Sequence, residues 1–176
     1  MFVACVFAVA ANPAAVAQTK PSLVIHYVPT PPEVVIAMLD LAGVTDKDVL
    51  YDLGSGDGRI VIAAAERFGA RGIGVELDPE LVQIATAAAL KAGVADLVQF
   101  RTEDIFKADL SAATVVALYL SPTTNVRLRG KLQRELKPGS RVVSHRFDMG
   151  DWKPEQTRVI GGREVLLWTI GPSVSR

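Results

Sequence analysis

Residues 49–59, Val-Leu-Tyr-Asp-Leu-Gly-Ser-Gly-Asp-Gly-Arg, constrain the fold more than any other stretch of this chain. Strand character from Val49 to Leu53 runs straight into a loop with glycine at 54, 56 and 58. Helical periodicity then starts at Arg59 and is closed by Gly69 after Phe68. A strand joined to a helix by a tight glycine turn opens a β-α-β crossover, and crossovers build parallel sheets.

The same unit repeats downstream. Gly72 to Glu76 reads as the second strand, and Asp78-Pro79 caps a helix whose Leu81, Ile84, Ala85 and Ala88 share a face, ending near Gly93. Leu97 to Phe100 and Thr114 to Leu120 follow as strands, the latter so continuously apolar that it suits a strand buried on both faces. Ser121-Pro122 opens a helix carrying Leu128, Leu132 and Leu136, and Arg141 to Ser144 makes a fifth strand. The rhythm then changes: Thr157 to Ile160 and Glu164 to Ile170 flank Gly161-Gly162-Arg163, the pattern of an antiparallel hairpin. The predicted class is α/β, an open, doubly wound, mostly parallel seven-stranded sheet with an antiparallel C-terminal hairpin.

Residues ahead of this pattern divide in two. No charged side chain occurs before Lys20, and the apolar run ends in Ala15-Val16-Ala17. Residues 1–17 read as a signal peptide without its basic start, or else as an apolar tail. A cleaved signal would make the protein exported, periplasmic or membrane-associated; a retained tail would leave it cytoplasmic. Residues 18–44 are an entry segment and helix: the prolines of Tyr27-Val-Pro-Thr-Pro-Pro32 hold it extended, Thr30 is expected to cap the helix with Pro31 first, and Val34, Val35, Met38, Leu41 and Ala42 form its apolar face. Residues 45–176 form the main domain.

The loop chemistry narrows the ligand. A dinucleotide fingerprint requires G-x-G-x-x-G, but Arg59 stands where the third glycine belongs, and no G-K-[ST] follows for a phosphate-binding P-loop. Asp52 and Asp57 would repel a pyrophosphate and suit a cation. Glu76, at the end of the second strand, stands where nucleotide-binding α/β domains place an acid on ribose hydroxyls. Asp104 follows the third strand, able to accept from an adenine amino group while Ile105 or Phe106 packs on the base. Together these acids describe a site for a cationic, ribose-bearing adenine compound without phosphate, and S-adenosyl-L-methionine fits.

The motif Asp-Leu-Gly-Ser-Gly-Asp-Gly, with Glu76 and Asp104, resembles the class I, seven-β-strand S-adenosylmethionine-dependent methyltransferases over roughly residues 45–170. Tyr27-Val-Pro-Thr-Pro, Leu118-Tyr-Leu-Ser-Pro122 and Leu136-Lys-Pro-Gly-Ser-Arg-Val-Val-Ser-His145 are similar to the small protein-lysine methyltransferases of archaea, bacteria and mitochondria, a group that includes the enzyme modifying the c-ring protein of ATP synthase. The resemblance implies that Tyr27 and Thr30 close over the methionine end of the cofactor and that Gly54, Ser55, Gly56, Asp57 and Gly58 contact it. It assigns Glu76 to the ribose and Asp104 to the adenine. It also implies a protein substrate carrying a target lysine. An aromatic channel that holds and then desolvates the ammonium makes Tyr119 and Ser121 the acceptor-channel candidates, with Tyr27. The Asn/Asp-Pro-Pro-aromatic motif of methyltransferases acting on planar nitrogens is missing.

Other classes find less support. Lys+Arg and Asp+Glu are 19 each, a balance without the cationic field of a sequence-independent nucleic-acid binder, so no nucleic acid is expected. The single cysteine, Cys5, excludes a disulfide framework or a cysteine zinc site within one chain, and with His26 and His145 as the only histidines no metal is expected. His145 reads as structural. The basic residues 127, 129, 131, 134, 137, 141 and 146 face one acid, Glu135; they read as a solvated face, with weak contact to an anionic partner or membrane surface as the alternative. The competing functions are a small-molecule methyltransferase, whose usual lids are missing, and a cofactor-binding module without catalysis.

Overall fold

A computed structural model describes residues 28–172. Eleven elements follow in order: α1 (Pro32–Leu41), β1 (Val49–Leu53), α2 (Arg59–Phe68), β2 (Arg71–Glu76), α3 (Pro79–Ala92), β3 (Val98–Thr102), β4 (Val115–Leu118), α4 (Pro122–Glu135), β5 (Arg141–His145), β6 (Gln156–Ile160) and β7 (Arg163–Thr169). The seven strands form one sheet in the order β3-β2-β1-β4-β5-β7-β6. Strands β1 to β5 pair in parallel, whereas β7 runs antiparallel to both β5 and β6. This is the sheet expected from the sequence, hairpin included.

Both faces of the sheet are covered, which explains the continuous apolar runs. Successive side chains of a strand point to opposite faces. Leu50, Val115, Ala117, Val143, Val165 and Leu167 pack with α1 and α2 in one core. Their neighbours Tyr51, Val116, Leu118, Val142, Leu166 and Trp168 pack with Leu128 and Leu132 of α4 in the other. At the amino end of β1, Asp48 and Arg141 close the structure with a 2.9 Å ion pair, while the Arg141 Nε donates to the Ala42 carbonyl behind α1.

Three local expectations need correction. Thr30 does not cap α1: Pro31 is the N-cap, Pro32 the first helical residue, and the Thr30 hydroxyl instead lies 3.3 Å from His145 Nδ1. In α3 the buried positions are Ala85 and Ala89, and Ile84 is 53% exposed, because the helix sits close to the sheet on its small residues. Strand three is Val98–Thr102, reaching two residues further because Arg101 and Thr102 pair with Val75 and Glu76, and strand four is shortened to Val115–Leu118, the span of its ladders with β1 and β5. Asp78 and Ser121 cap α3 and α4 as expected, accepting from Glu80 N and Thr124 N. Residues 1–27, and with them the signal-peptide or tail reading and Tyr27, lie outside the described residues. Among the described residues no helix is long and apolar enough to cross a membrane.

Candidate functional site

A cleft of about 1120 Å³ opens at the carboxyl ends of β1, β2, β3 and β4. Open α/β sheets bind ligands there, where the order of strands reverses between β1 and β4. Its floor is the loop after β1. Gly54 has φ +81° and leaves room for Leu120, whose Cδ2 would stand 2.7 Å from an added Cβ. Gly58 has φ +79°, and a Cβ there would meet Phe100 Cζ at 2.5 Å and Ala85 Cβ at 2.9 Å. The first glycine therefore opens the cleft, and the third serves packing of α2 against α3 and the sheet.

The acids converge, with one exception. Asp52, Glu76 and Asp104 all line the cleft. The Glu76 carboxylate is aimed by backbone donors: Gly56 N–H at 3.0 Å on one oxygen, Leu77 N–H at 2.7 Å and Asp78 N–H at 3.0 Å on the other. Asp104 accepts from Phe106 N–H at 2.9 Å, which folds the loop so that Ile105 and Phe106 also face the cleft. Asp52 is only 2% exposed. Burial, reinforced by the Glu76 and Asp57 carboxylates, pushes its pKa up to about 8.

Asp57 is the exception. It does not line the cleft; it pairs with Arg59, whose Nη1 donates to the Thr30 carbonyl at 2.9 Å. An arginine two residues on competes for this carboxylate and ties the glycine loop to the segment before α1. Gly56 and Gly58 likewise shape the loop without lining the cleft, whereas Gly54, Ser55 and Thr30 line it. Among the described residues Ser55 Oγ is buried without a hydrogen-bond partner.

At the far end stand Tyr119, Ser121, Thr124 and Phe147. Tyr119 stacks on His145, ring centroids 4.0 Å apart at 30°, and lies nearly parallel to Phe147 at 6.3 Å. Ser121 lines the cleft, yet its hydroxyl is engaged as the α4 cap, 3.2 Å from Thr124 N. His145 is 2% exposed, and burial, then the Arg163 and Arg146 charges, lowers its pKa to about 4, so the ring is neutral. Arg59 and Phe147 were not anticipated as cleft residues. Arg59 carried a usable signal, a lone cation among acids; Phe147 carried none.

Part of the basic run is consumed internally. Arg129 donates to the Met149 carbonyl, Lys131 pairs with Glu135 at 2.8 Å, and Arg141 pairs with Asp48. Arg127 lies over the Phe106 ring, 4.3 Å from its centroid. Among the described residues no group of His, Cys, Asp or Glu is placed to hold a metal ion.

The donor set fits a sulfonium-bearing nucleoside. Carboxylates at three strand ends, a buried hydroxyl still lacking a partner and two apolar side chains suited to a base face occupy one cleft. A doubly wound sheet with this site defines an S-adenosylmethionine-dependent methyltransferase. The family model described as the ANTKMT methyltransferase domain matches residues 52–156, and the chain belongs to that family. A second model, histone methylation protein DOT1, matches residues 6–93.

Among relatives, the protein-lysine N-methyltransferase of Saccharolobus islandicus (strain REY15A) is 44% identical, covering 84% of this chain and 94% of that protein. The adenine nucleotide translocase lysine N-methyltransferase of Mus musculus is 39% identical over 72% of this chain; the chain spans about half (56%) of that protein's length. A crystal structure described as an RNA methyltransferase from Salinibacter ruber, in complex with S-adenosyl-L-homocysteine, superposes with TM-score 0.82 at 57% identity, covering 84% of this chain and 97% of that one.

Proposed function

We propose that the chain methylates the side-chain amine of a lysine in a protein substrate. The charge of the cleft carries this reading. Three carboxylates, of Glu76, Asp78 and Asp104, and the carboxyl of Asp52 face one guanidinium among the described lining residues, that of Arg59, itself paired with Asp57. Such a cleft attracts alkylammonium and sulfonium cations and repels the phosphates of a nucleic-acid backbone. The names of the archaeal and mouse relatives agree with a lysine acceptor; the description of the Salinibacter ruber protein favours RNA, and the acidic lining weighs against carrying that acceptor over.

In this reading Asp52, Ser55 and the loop from Gly54 hold the amino-acid end of S-adenosylmethionine. Glu76 takes the ribose, Asp104 the adenine edge, and Ile105 with Phe106 the base faces. Thr30 covers the site, and Tyr119 and Ser121 wall the acceptor end. Asp57 acts through Arg59 as a positioning residue. Residues 45–176 make the catalytic domain, and 18–44 are the entry segment and helix ahead of it. When bound, the cofactor supplies a methyl group on a positively charged sulfur.

The remaining work of the protein is to deliver a neutral amine into a site shielded from water. His145 lies beneath Tyr119, buried and neutral, so the ammonium proton leaves to solvent as the aromatic wall desolvates the amine. Radiolabelled S-adenosylmethionine offered with poly-L-lysine, poly-L-arginine or total RNA tests the reading. Label should enter poly-L-lysine, with a rate climbing as pH rises from about 7 to 9 as the neutral amine fraction grows up to about tenfold per unit. Label entering RNA instead, or both polypeptides equally, would refute it.

A further inference from the structure

A strained turn follows the end of β5. Arg146 has φ +72°, the one non-glycine residue with positive φ among the described residues. A bulky side chain in that region is costly, and such strain persists only where the surroundings over-determine it. They do so here. Arg146 N–H donates to the Glu164 carbonyl at 2.7 Å, and Phe147 N–H donates back to the His145 carbonyl at 2.9 Å. The Phe147 carbonyl accepts from Asn125 Nδ2 at 2.9 Å and from Ser144 Oγ at 2.7 Å. Asn125 and Ser144 are both fully buried, so two interior polar side chains hold one carbonyl.

The product of this arrangement is the position of one ring. Phe147 lines the cleft beside Tyr119, the two rings within 11° of parallel, and Tyr119 is in turn fixed from behind by His145. The Phe147 ring already attracts a cation: the Arg146 guanidinium carbon stands 5.5 Å from its centroid. We propose that Phe147 is a specificity-determining residue, its ring forming with Tyr119 the aromatic wall that receives the alkylammonium of the acceptor. The proposal rests on the lysine reading above. Aromatic faces bind an ammonium through the ring quadrupole and pack against its methylene stem, so they favour a lysine side chain over a small neutral nucleophile.

The test compares wild type, F147L, which keeps apolar bulk, and F147Y, which keeps the ring. Thermal melts confirm folding, calorimetry gives S-adenosylhomocysteine affinity, and label transfer to poly-L-lysine gives kcat/KM. The F147L variant should lose about tenfold or more in kcat/KM for poly-L-lysine with cofactor affinity unchanged within about twofold, and F147Y should restore most of it. Should F147L not fold, F147M takes its place. F147L matching wild type, or losing cofactor affinity in step with turnover, would overturn the proposal while leaving the lysine reading intact. A wild-type protein that labels RNA and not poly-L-lysine would overturn both.

Discussion

Removing one carboxylate should make this protein more stable, and by an amount that depends on pH. Asp52 has an unfolded pKa of 3.8 and a folded pKa of about 8. Between those values the folded chain holds a proton on Asp52 that the unfolded chain has lost. Stability therefore falls as pH rises, by about 1.4 kcal/mol per unit for this one group. D52N replaces the acid with a neutral amide of the same shape and removes that slope. In the absence of cofactor, D52N and wild type should be close in stability near pH 4. The variant's advantage should then grow by about 2.7 kcal/mol between pH 5 and 7, and level off above pH 8. Urea unfolding at several pH values, followed by the fluorescence of Trp168, which is fully buried, reads the difference directly. Titrating groups that do not interact with Asp52 are common to both proteins and cancel. Stabilities that run parallel from pH 5 to 8 would refute the claim that Asp52 is desolvated and protonated. The same variant should bind S-adenosylmethionine more weakly, and wild-type binding should release protons at pH 7, because a cationic ligand favours the carboxylate.

Three other perturbations have expected outcomes. E76A removes the acid from the ribose position and leaves Gly56, Leu77 and Asp78 N–H without their acceptor; calorimetry should show cofactor affinity lower by about 10–150-fold. His145 should titrate near 4 when its ring protons are followed by NMR. The folded ring resists a proton that the unfolded chain accepts, so its contribution to stability is intact above about 6.5 and is lost as pH falls towards 4; a midpoint near 6.5 would contradict the burial. G58A forces a side chain into φ +79° against Phe100 and Ala85, and should cost about 2–4 kcal/mol in urea unfolding, with a weakened cofactor site following from the distorted loop.

The sheet was legible because its determinants are local. Apolar runs of five or so residues, punctuated by Gly54, Gly69, Gly93 and Pro138, mark each β-α unit, and the Gly161-Gly162 turn marks the hairpin. The acids at strand ends were legible for the same reason, since a strand end plus a known crossover places a side chain at the cleft. What sequence could not show is where side chains are redirected by partners distant in the chain. Asp57 looks like a ligand until Arg59 is seen to hold it. Thr30 looks like a helix cap until His145, 115 residues further along the chain at the end of β5, is seen beside it. Ile84 fits the periodicity of a buried face, but Ala85 and Ala89 set how near α3 approaches. The positive φ of Arg146 follows from Asn125, Ser144 and Glu164, and nothing in Arg-Phe itself announces it.

The position of β7 has a bearing on how the molecule is made. It is the last strand of the described residues, yet it lies inside the sheet, between β5 and β6. Its Trp168 is fully buried, with the indole N–H donating to the Trp152 carbonyl at 2.8 Å. Until residues 163–169 have left the ribosome, β5 presents a bare edge and β6 has nothing to pair with. A nascent chain can assemble β1 to β5 early, in the N-terminal-first order of synthesis, but it cannot seal its core or hide that edge. Chains stalled or clipped before Arg163 should therefore be sticky intermediates recognised by chaperones and proteases, and the cell's quality control would sense whether β7 has been delivered to the sheet.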